Sequence, residues 1–280
     1  MKILYLGTGA SEGIPAMFCA CDTCKRALKL GGRNIMTRSQ MLINDNLLID
    51  FNTDTYSHFI NMGKTLSDIE YILITHSHTD HFTFEEFFNR YVGIAYNVKA
   101  EKLKIYLSKG AYDVMMCCTQ GRGESEERRN ERFEFIVVEP FVPVKIGEYL
   151  VTPLPAIHMN PEQALIYLIE KDGKTLFYGN DTGVFSEKID DYLQQNGKKI
   201  DLLSLDCTKC DNDFGYYTHM SMKEGKEIAD RFNKKGLLKE SIKLYYNHFS
   251  HNGGQVYDEL VERAKKYGFK VAYEGLEILL

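Results

Sequence analysis

One heptapeptide, residues 75–81 (Thr-His-Ser-His-Thr-Asp-His), concentrates the side chains that could do chemistry. Imidazoles and carboxylates are ligands that zinc, manganese and iron accept together. His76 and His78 are two positions apart, so an extended segment directs both to one side, whereas Asp80 and His81 follow at a turn. We therefore predict that this loop binds one metal with its first pair of ligands and a second metal with its last pair.

The flanking residues indicate how this loop is held. Residues 71–74 (Tyr-Ile-Leu-Ile) form an apolar run that predicts a buried strand ending at Thr75. Residues 83–86 (Thr-Phe-Glu-Glu) match a capping box, which predicts that a helix begins just after the loop. A surface histidine cluster is the alternative interpretation, but a strand and a helix start on the correct sides favour a binding site.

Three later segments repeat the pattern of a short apolar run that leads to a candidate ligand. Residues 151–157 lead to His158, residues 175–180 lead to Asp181, and residues 243–247 lead to His248. Open sheets bind ligands beyond the carboxyl ends of their strands, so we expect these side chains to converge at one edge. Any one of them alone is more typical of a structural histidine or a turn-forming aspartate. Their shared placement favours function.

In order and approximate spacing, these segments resemble the metallo-β-lactamase superfamily over nearly the whole chain. The resemblance implies a four-layer αβ/βα sandwich, in which two mixed sheets pack face to face with helices outside. It implies a two-metal site with the following ligands: His76, His78 and His158 for one ion, Asp80, His81 and His248 for the other, and Asp181 bridging both. Asp50, at the end of an early apolar run, would support the site through hydrogen bonds.

The cysteines indicate a second type of metal site. Cys19, Cys21 and Cys24 form Cys-x-Cys-x-x-Cys, which is three quarters of a tetrahedral thiolate site, and His251 is the candidate fourth ligand. Such a zinc site would be closed and structural. Reduced buried thiols are the alternative. The Cys-x-x-Cys motif of Cys207 and Cys210 could be a redox motif or a metal half-site, but a buried or loop thiol pair is favoured.

A narrower resemblance rests on Gly7-Thr8-Gly9, Gly13-Ile14-Pro15, the cysteine motif and the His-Phe-Ser-His segment 248–251. These are similar to the phosphoribosyl 1,2-cyclic phosphate phosphodiesterases of the C–P lyase pathway. The pyrroloquinoline quinone biosynthesis protein B group has a similar cysteine motif. Two departures leave the substrate open: Phe51-Asn52 stands where Ala-Gly is usual, and residues 99–140 look like a family-variable insertion.

Length and composition indicate one α/β domain over residues 1–280. The chain is 44% hydrophobic and 26% charged, without an apolar run of membrane length. Its net charge of −5 argues against bulk binding of nucleic acid. The thiolate motif and the odd count of seven cysteines fit a reducing cytoplasm. A homodimer is expected only by analogy with the family.

The resulting hypothesis is a metal-dependent hydrolase with two catalytic metals, zinc or manganese, and one structural zinc. It would cleave a small cyclic phosphodiester by attack of a metal-bridged hydroxide, with Asp80 orienting the nucleophile. His219, just before a second capping box at residues 221–224, is the candidate proton donor to the leaving group. His58 is interpreted as structural, and Arg38 as a residue that could meet a phosphate. A lactone or thioester hydrolase and a non-enzymatic metal-binding accessory protein remain as alternatives.

Overall fold

Two mixed sheets of seven strands each form the framework of the computed structural model, which describes residues 1–119, 125–212, 215 and 217–280. Along the first sheet the strand order is β14-β1-β2-β3-β4-β5-β6, and along the second it is β13-β12-β11-β10-β9-β8-β7. The strands are β1 Lys2–Gly7, β2 Gln40–Ile43, β3 Leu47–Ile49, β4 Tyr71–Leu73, β5 Leu103–Leu107, β6 Phe133–Val137, β7 Val144–Ile146, β8 Tyr149–Pro155, β9 Leu165–Lys171, β10 Lys174–Gly179, β11 Ile200–Asp206, β12 Leu238–Asn247, β13 Lys270–Val271 and β14 Glu277–Leu279.

Helices cover the outer faces of both sheets. The α-helices of the described residues are α1 Asp22–Leu30, α2 Thr55–Asn61, α3 Lys109–Thr119, α4 Glu126–Arg132, α5 Glu187–Gln195, α6 Met222–Lys234 and α7 Tyr257–Lys265. Short 3₁₀ segments lie at Gly32–Asn34, Leu66–Asp68, Phe84–Arg90 and His251–Gly253. Among the described residues, no helix combines the length and the apolarity needed to cross a membrane.

The strands are apolar on both faces because each sheet is buried on both sides. In β1, Ile3 and Tyr5 belong to the apolar cluster between the sheets, whereas Leu4 and Leu6 point to the cluster beneath the outer helices. In β11, Leu202 likewise faces the other sheet, whereas Leu203 and Leu205 belong to the outer cluster. This alternation with period two, without polar outer positions, is expected for strands that helices cover. The four-layer sandwich predicted from the sequence is confirmed.

Each sheet changes from antiparallel to parallel pairing near its middle. Strands β3 to β6 are parallel in the first sheet, and β10 to β13 are parallel in the second. The carboxyl ends of these parallel strands lie at the same edge of the sandwich, where the loops that follow β3, β4, β10, β11 and β12 meet. This topology brings the candidate ligands together.

The two capping boxes predicted from the sequence have different outcomes. Ser221 and Glu224 form the predicted box and begin α6, which ends at Lys234. The box at Thr83 was a wrong prediction. The Thr83 side chain accepts no capping hydrogen bond; its hydroxyl donates to the Thr79 carbonyl oxygen at 3.0 Å, and the following turn, Phe84–Arg90, is a 3₁₀ segment. The histidine loop is therefore held by a hydrogen bond within the loop, and the segment that follows it is not a regular α-helix.

Residues 99–140, predicted as a variable insertion, supply β5, α3, α4 and β6 in their described part. The two strands extend the parallel half of the first sheet. Residues Glu126–Arg132, which are rich in glutamate and arginine, form helix α4, while residues 120–124 lie outside the described part of the chain. That this segment varies among relatives stays a prediction.

Candidate metal centres

Three residues at the ends of strands have left-handed backbone conformations. Asp50 directly follows β3 with φ 65°, Asp181 follows β10 with φ 51°, and His248 directly follows β12 with φ 63°. A non-glycine residue in this region costs on the order of 1–3 kcal/mol, and such residues cluster at functional sites. The turn at each strand end directs a ligand or supporting side chain into the shared crevice.

The first donor cluster contains His76, His78, His158 and Asp181, whose candidate ligand atoms all lie within 4.8 Å of one another. His78 Nδ1 is 2.9 Å from His76 Nε2 and 3.1 Å from His158 Nε2. Nitrogens bound tetrahedrally at ordinary zinc distances would be separated by about 3.3 Å. The ring nitrogens thus already surround a common point at nearly the spacing that one ion requires.

The second donor cluster contains Asp80, His81, Asp181 and His248, and all four are buried. Asp181 Oδ2 lies 3.3 Å from His76 Nε2 in the first cluster and 3.0 Å from His81 Nε2 in the second. One carboxylate therefore lies between both groups of imidazoles, where a bridging ligand would stand.

Two buried ring nitrogens indicate whether the second donor cluster fits a cation. Nε2 of His81 and Nε2 of His248 are buried and make no well-aligned hydrogen bond within the described part of the chain, although Asp181 Oδ2 lies 3.0 Å from His81 Nε2. Unpaired buried polar atoms are costly, and native proteins usually satisfy them. Because both atoms point into a cluster with two carboxylates, the donor set fits a second divalent cation.

Polar residues behind the ligands orient the two rings. Asp50 Oδ2 lies 2.7 Å from His81 Nδ1, and Asp50 Oδ1 accepts from the Thr75 amide at 2.8 Å. Thr208 Oγ1 lies 2.8 Å from His248 Nδ1. With Nδ1 engaged in this way, Nε2 of each ring faces the cluster, an arrangement typical of histidine ligands.

The carboxylates and imidazoles shift one another's pKa in the metal-free chain. Burial lowers the pKa of His81, but the charges of Asp80 and Asp50 outweigh it and hold that pKa well above its ordinary value. Burial, assisted by the charge of His81, holds the pKa of His76 well below its ordinary value. The two imidazoles thus differ although their rings lie in van der Waals contact.

His219 lies inside this group of donors. Its Nδ1 is 3.1 Å from Asp181 Oδ1 and 3.3 Å from Asp206 Oδ2. Burial lowers the pKa of His219, but hydrogen bonds with Asp181 and Asp206 outweigh it and raise the pKa to about 10. The ligand atoms of Asp181, Asp206, His219 and His248 also form a candidate metal cluster. The geometry therefore admits a ligand role for His219 beside the predicted role as proton donor.

Two residues of this region were missed in the sequence. Asp206 is fully buried at the end of β11 and follows an apolar run, so the signal that identified Asp181 could have identified it. Glu162 is buried and accepts hydrogen bonds from the Ser77 amide, at 3.0 Å, and from the Ser77 hydroxyl. It holds the middle of the histidine loop, and no strand or motif in the sequence indicates it.

The cysteine site is assembled from distant segments. The candidate donor atoms of Cys19, Cys21, Cys24 and His251 lie within 4.8 Å of one another, and Cys21 Sγ is 3.5 Å from His251 Nδ1. A hydrogen bond with the Cys24 backbone and one with His251 lower the pKa of Cys21 to about 6. Three thiols and one imidazole are a donor set that fits zinc.

The remaining sequence candidates lie apart from these clusters. Cys207 and Cys210 are buried free thiols, in agreement with the favoured interpretation. His58 is buried, with both ring nitrogens within hydrogen-bonding distance of Thr37 and Gln40, as expected of a structural histidine. Arg38 binds Asp54 at 3.0 Å and does not line the cavity over the donor clusters.

An open cavity of about 600 Å³ lies above the two clusters. Its floor is formed by His78, Asp80, His158, Asp181 and His248, and its walls include His219 and the loop at residues 10–12. A cavity of this size admits a small molecule.

Comparisons with known proteins agree with this architecture. The family model described as Beta-lactamase superfamily domain matches residues 45–239. No curated protein matches the sequence. Among solved structures, a diphosphatase of the PhnP family is 19% identical over 100% of this chain and 97% of that chain, with a TM-score of 0.75.

Two further structures share the fold over the whole chain. Zinc-bound PqqB from Methylobacterium extorquens is 16% identical over 100% of both chains, with a TM-score of 0.75. Unliganded yeast PDE1 is 12% identical over 100% of this chain and 99% of that chain, with a TM-score of 0.70. At these identities the likeness shows the fold. Together with the family match, it shows that this chain belongs to the beta-lactamase superfamily.

Proposed function

We propose that this protein is a metal-dependent hydrolase that cleaves a small phosphodiester with two divalent metals, zinc or manganese. One observation carries the proposal: Asp181 lies between two groups of imidazoles at the floor of an open cavity, with His81 Nε2 at 3.0 Å and His76 Nε2 at 3.3 Å. A shared carboxylate between two donor sets is what a two-metal hydrolytic site requires and what a single-ion site does not.

The ligands proposed from the sequence hold the ions in two groups. His76, His78 and His158 would hold one ion, Asp80, His81 and His248 would hold the other, and Asp181 would contact both. When bound, two such ions supply a hydroxide nucleophile near neutral pH and neutralise charge on the phosphoryl oxygens. Asp80 lines the cavity, so its second oxygen could orient the nucleophile.

His219 would hold the proton that the leaving group needs. It lines the cavity, and its ring is placed by Asp206 behind it at 3.3 Å. A proton donor must lie within reach of the leaving oxygen, and a residue on the cavity wall above Asp181 meets this requirement. Asp206 would act as a positioning residue that orients the His219 ring.

The cysteine cluster would hold a structural zinc. Four donors and no open position leave no place for a substrate, so this ion would act on the fold. Cys19, Cys21 and Cys24 precede or begin α1, and His251 follows the ligand His248 by three residues. The zinc would therefore fix the amino-terminal loop of the cavity wall to the segment that carries a catalytic ligand.

The substrate class is proposed on the size of the cavity and on the family resemblance. A volume of about 600 Å³ suits a cyclic phosphodiester of the phosphoribosyl or nucleotide type. The PhnP-family diphosphatase and yeast PDE1 share this fold across the whole chain. We further propose a cytoplasmic protein, with a homodimer as the expected assembly and with neither membrane nor bulk nucleic acid as partner.

The test compares ester classes on metal-replete protein and on the same protein after chelation. We expect metal-dependent turnover of bis(p-nitrophenyl) phosphate, with little turnover of a matched thioester or lactone. Faster thioester or lactone hydrolysis would assign the site to carbonyl chemistry instead. Full metal content without turnover of any ester would favour an accessory protein, the class suggested by the fold shared with PqqB.

A further inference from the structure

The cavity over the metal clusters is lined by no lysine or arginine from the described residues, and the protonated ring of His219 on its wall is paired with the Asp206 carboxylate at 3.3 Å. Its lining consists of hydroxyl and amide side chains, the histidines, and the carboxylates of Glu12, Asp80 and Asp181. Within the described residues, the metal ions are therefore the main source of unpaired positive charge for an anion that enters.

Two basic side chains near the cavity, those of Arg38 and Lys209, form ion pairs with carboxylates outside it. Arg38 Nε donates to the Ser11 carbonyl oxygen at 3.0 Å, behind the cavity wall, while Arg38 Nη1 binds Asp54 at 3.0 Å. Lys209, next to the cavity residue Thr208, is buried and binds Glu224 at 2.7 Å. Freeing either side chain for a substrate would leave its carboxylate partner unpaired.

Glu12 adds a negative charge to the cavity wall. Its side chain is 32% exposed and belongs to no donor cluster among the described residues. The Ser250 hydroxyl donates to Glu12 Oε1 at 2.5 Å, which fixes the carboxylate beside the cavity. An ionised carboxylate has acceptor capacity beyond this one bond, so it can accept from a substrate hydroxyl, whereas it repels a second phosphate.

The charge balance leads to the substrate class. The charges of two divalent ions and of the Asp80 and Asp181 carboxylates add up to a net positive charge. One phosphodiester and one hydroxide together neutralise this net charge. A further dianionic phosphate would enter a cavity with no remaining positive charge and would face Glu12. Resting on the proposed function and narrowing it to the substrate type without a terminal phosphate, we infer that the substrate carries a single phosphodiester and is otherwise uncharged and rich in hydroxyls, and that Glu12 rejects analogues with a terminal phosphate.

The experiment uses the full-length, metal-replete protein at low ionic strength, where charge effects are least screened. The probes are adenosine 2′,3′-cyclic phosphate and the same compound with a 5′-phosphate. We expect kcat/KM to be about 10-fold or more higher for the 5′-hydroxyl compound, a range reached by charge complementarity. E12Q, which keeps an acceptor for Ser250, should lower this ratio about threefold or more.

E262Q is the matched control, because it removes the same charge from an exposed position on α7, outside the cavity. It should leave the ratio unchanged. Equal or faster turnover of the 5′-phosphorylated compound, or an equal drop of the ratio in E12Q and E262Q, would overturn the inference while the phosphodiesterase proposal stands. No turnover of either nucleotide or of bis(p-nitrophenyl) phosphate would instead overturn the proposed function, and the inference with it.

Discussion

The Asp50 carboxylate lies 2.7 Å from Nδ1 of His81, and both side chains are fully inaccessible to solvent. An ionised carboxylate only accepts hydrogen bonds, so when the imidazole gives up one proton to bind a cation, Asp50 keeps the remaining proton on Nδ1. The lone pair of Nε2 is then directed at the donor cluster. Asp50 thus selects the tautomer of His81 that can bind a cation.

Asp50→Asn should therefore weaken metal binding without removing a ligand. The amide oxygen can still accept from the Thr75 amide, but the amide nitrogen would then face His81 Nδ1 and donate to it, which moves the ring proton to Nε2. We expect metal affinity to fall about 10–100-fold, measured by competition with a chromogenic chelator. Asp190→Asn is the control, because Asp190 is equally buried but pairs with Arg231 at 2.6 Å, away from the clusters. Equal losses in both variants would show that a general loss of stability is responsible.

Cys21→Ser should reduce stability more than chemistry. The wild-type chain is expected to hold about three metals, two in the cavity and one in the cysteine cluster, and the variant about two. Because zinc binding by a closed site is also folding free energy, the midpoint of thermal unfolding should fall. Cys118→Ser is the matched control, since Cys118 is exposed and lies in no donor cluster of the described residues. An unchanged midpoint together with lost turnover would contradict the structural role.

His219→Ala should slow hydrolysis in a manner that depends on the leaving group. A sugar alkoxide needs a proton as it departs, whereas a nitrophenolate does not. We expect a loss of about 10²–10⁴-fold on a 2′,3′-cyclic nucleotide and a much smaller loss on bis(p-nitrophenyl) phosphate. Asp206→Asn, which weakens both the orientation of the ring and the interaction that raises the pKa of His219, should show the same asymmetry to a smaller degree.

Metal analysis of His219→Ala separates the two roles that the geometry allows. As a proton donor, His219 can be removed with metal content intact. Loss of one bound metal would make His219 a ligand, in line with its position in a cluster with Asp181, Asp206 and His248. Equal losses on both substrates with intact metal would make it a phosphate-positioning residue.

His58 should make folding stability dependent on pH. Burial lowers its pKa to about 4, with Asp54 raising it and Arg38 lowering it by smaller amounts, against an ordinary value near 6.5. Between these values the unfolded chain binds the proton and the folded chain does not, so stability is lost as pH falls from about 6.5 to about 4. The contribution is on the order of 3 kcal/mol.

His58→Gln removes this titration. In urea titrations from pH 7 to pH 4, the free energy of unfolding of the wild type should fall more steeply than that of the variant. The hydrogen bonds support a neutral ring: Nδ1 lies 2.7 Å from Gln40 Oε1, and Nε2 lies 2.6 Å from the Thr37 hydroxyl. Parallel pH curves for the two proteins would contradict the predicted shift.

The comparison of sequence and structure is clearest at the histidine loop. The spacing of His76, His78, Asp80 and His81 identifies metal chemistry without a fold, because few other uses need these residue types so close together. The ends of the strands could also be predicted, since a continuous apolar run stops where a buried strand stops. The capping box at Ser221 was correct because a helix start is a local hydrogen-bond pattern, whereas at Thr83 the same sequence pattern is followed only by a 3₁₀ segment, and the Thr83 hydroxyl donates back to Thr79.

What the sequence by itself determined is therefore the inventory: which residue types are present, their order, and the strand ends that carry them. Only the tertiary structure decided which of them meet. Parallel pairing within each sheet and packing between the sheets place Asp181 among imidazoles from both halves of the chain, and left-handed turns at Asp50, Asp181 and His248 direct the side chains inward. Asp206, Glu162 and Glu12 acquire their places only there, because a carboxylate's function depends on what surrounds it, and residues far apart in sequence supply those surroundings.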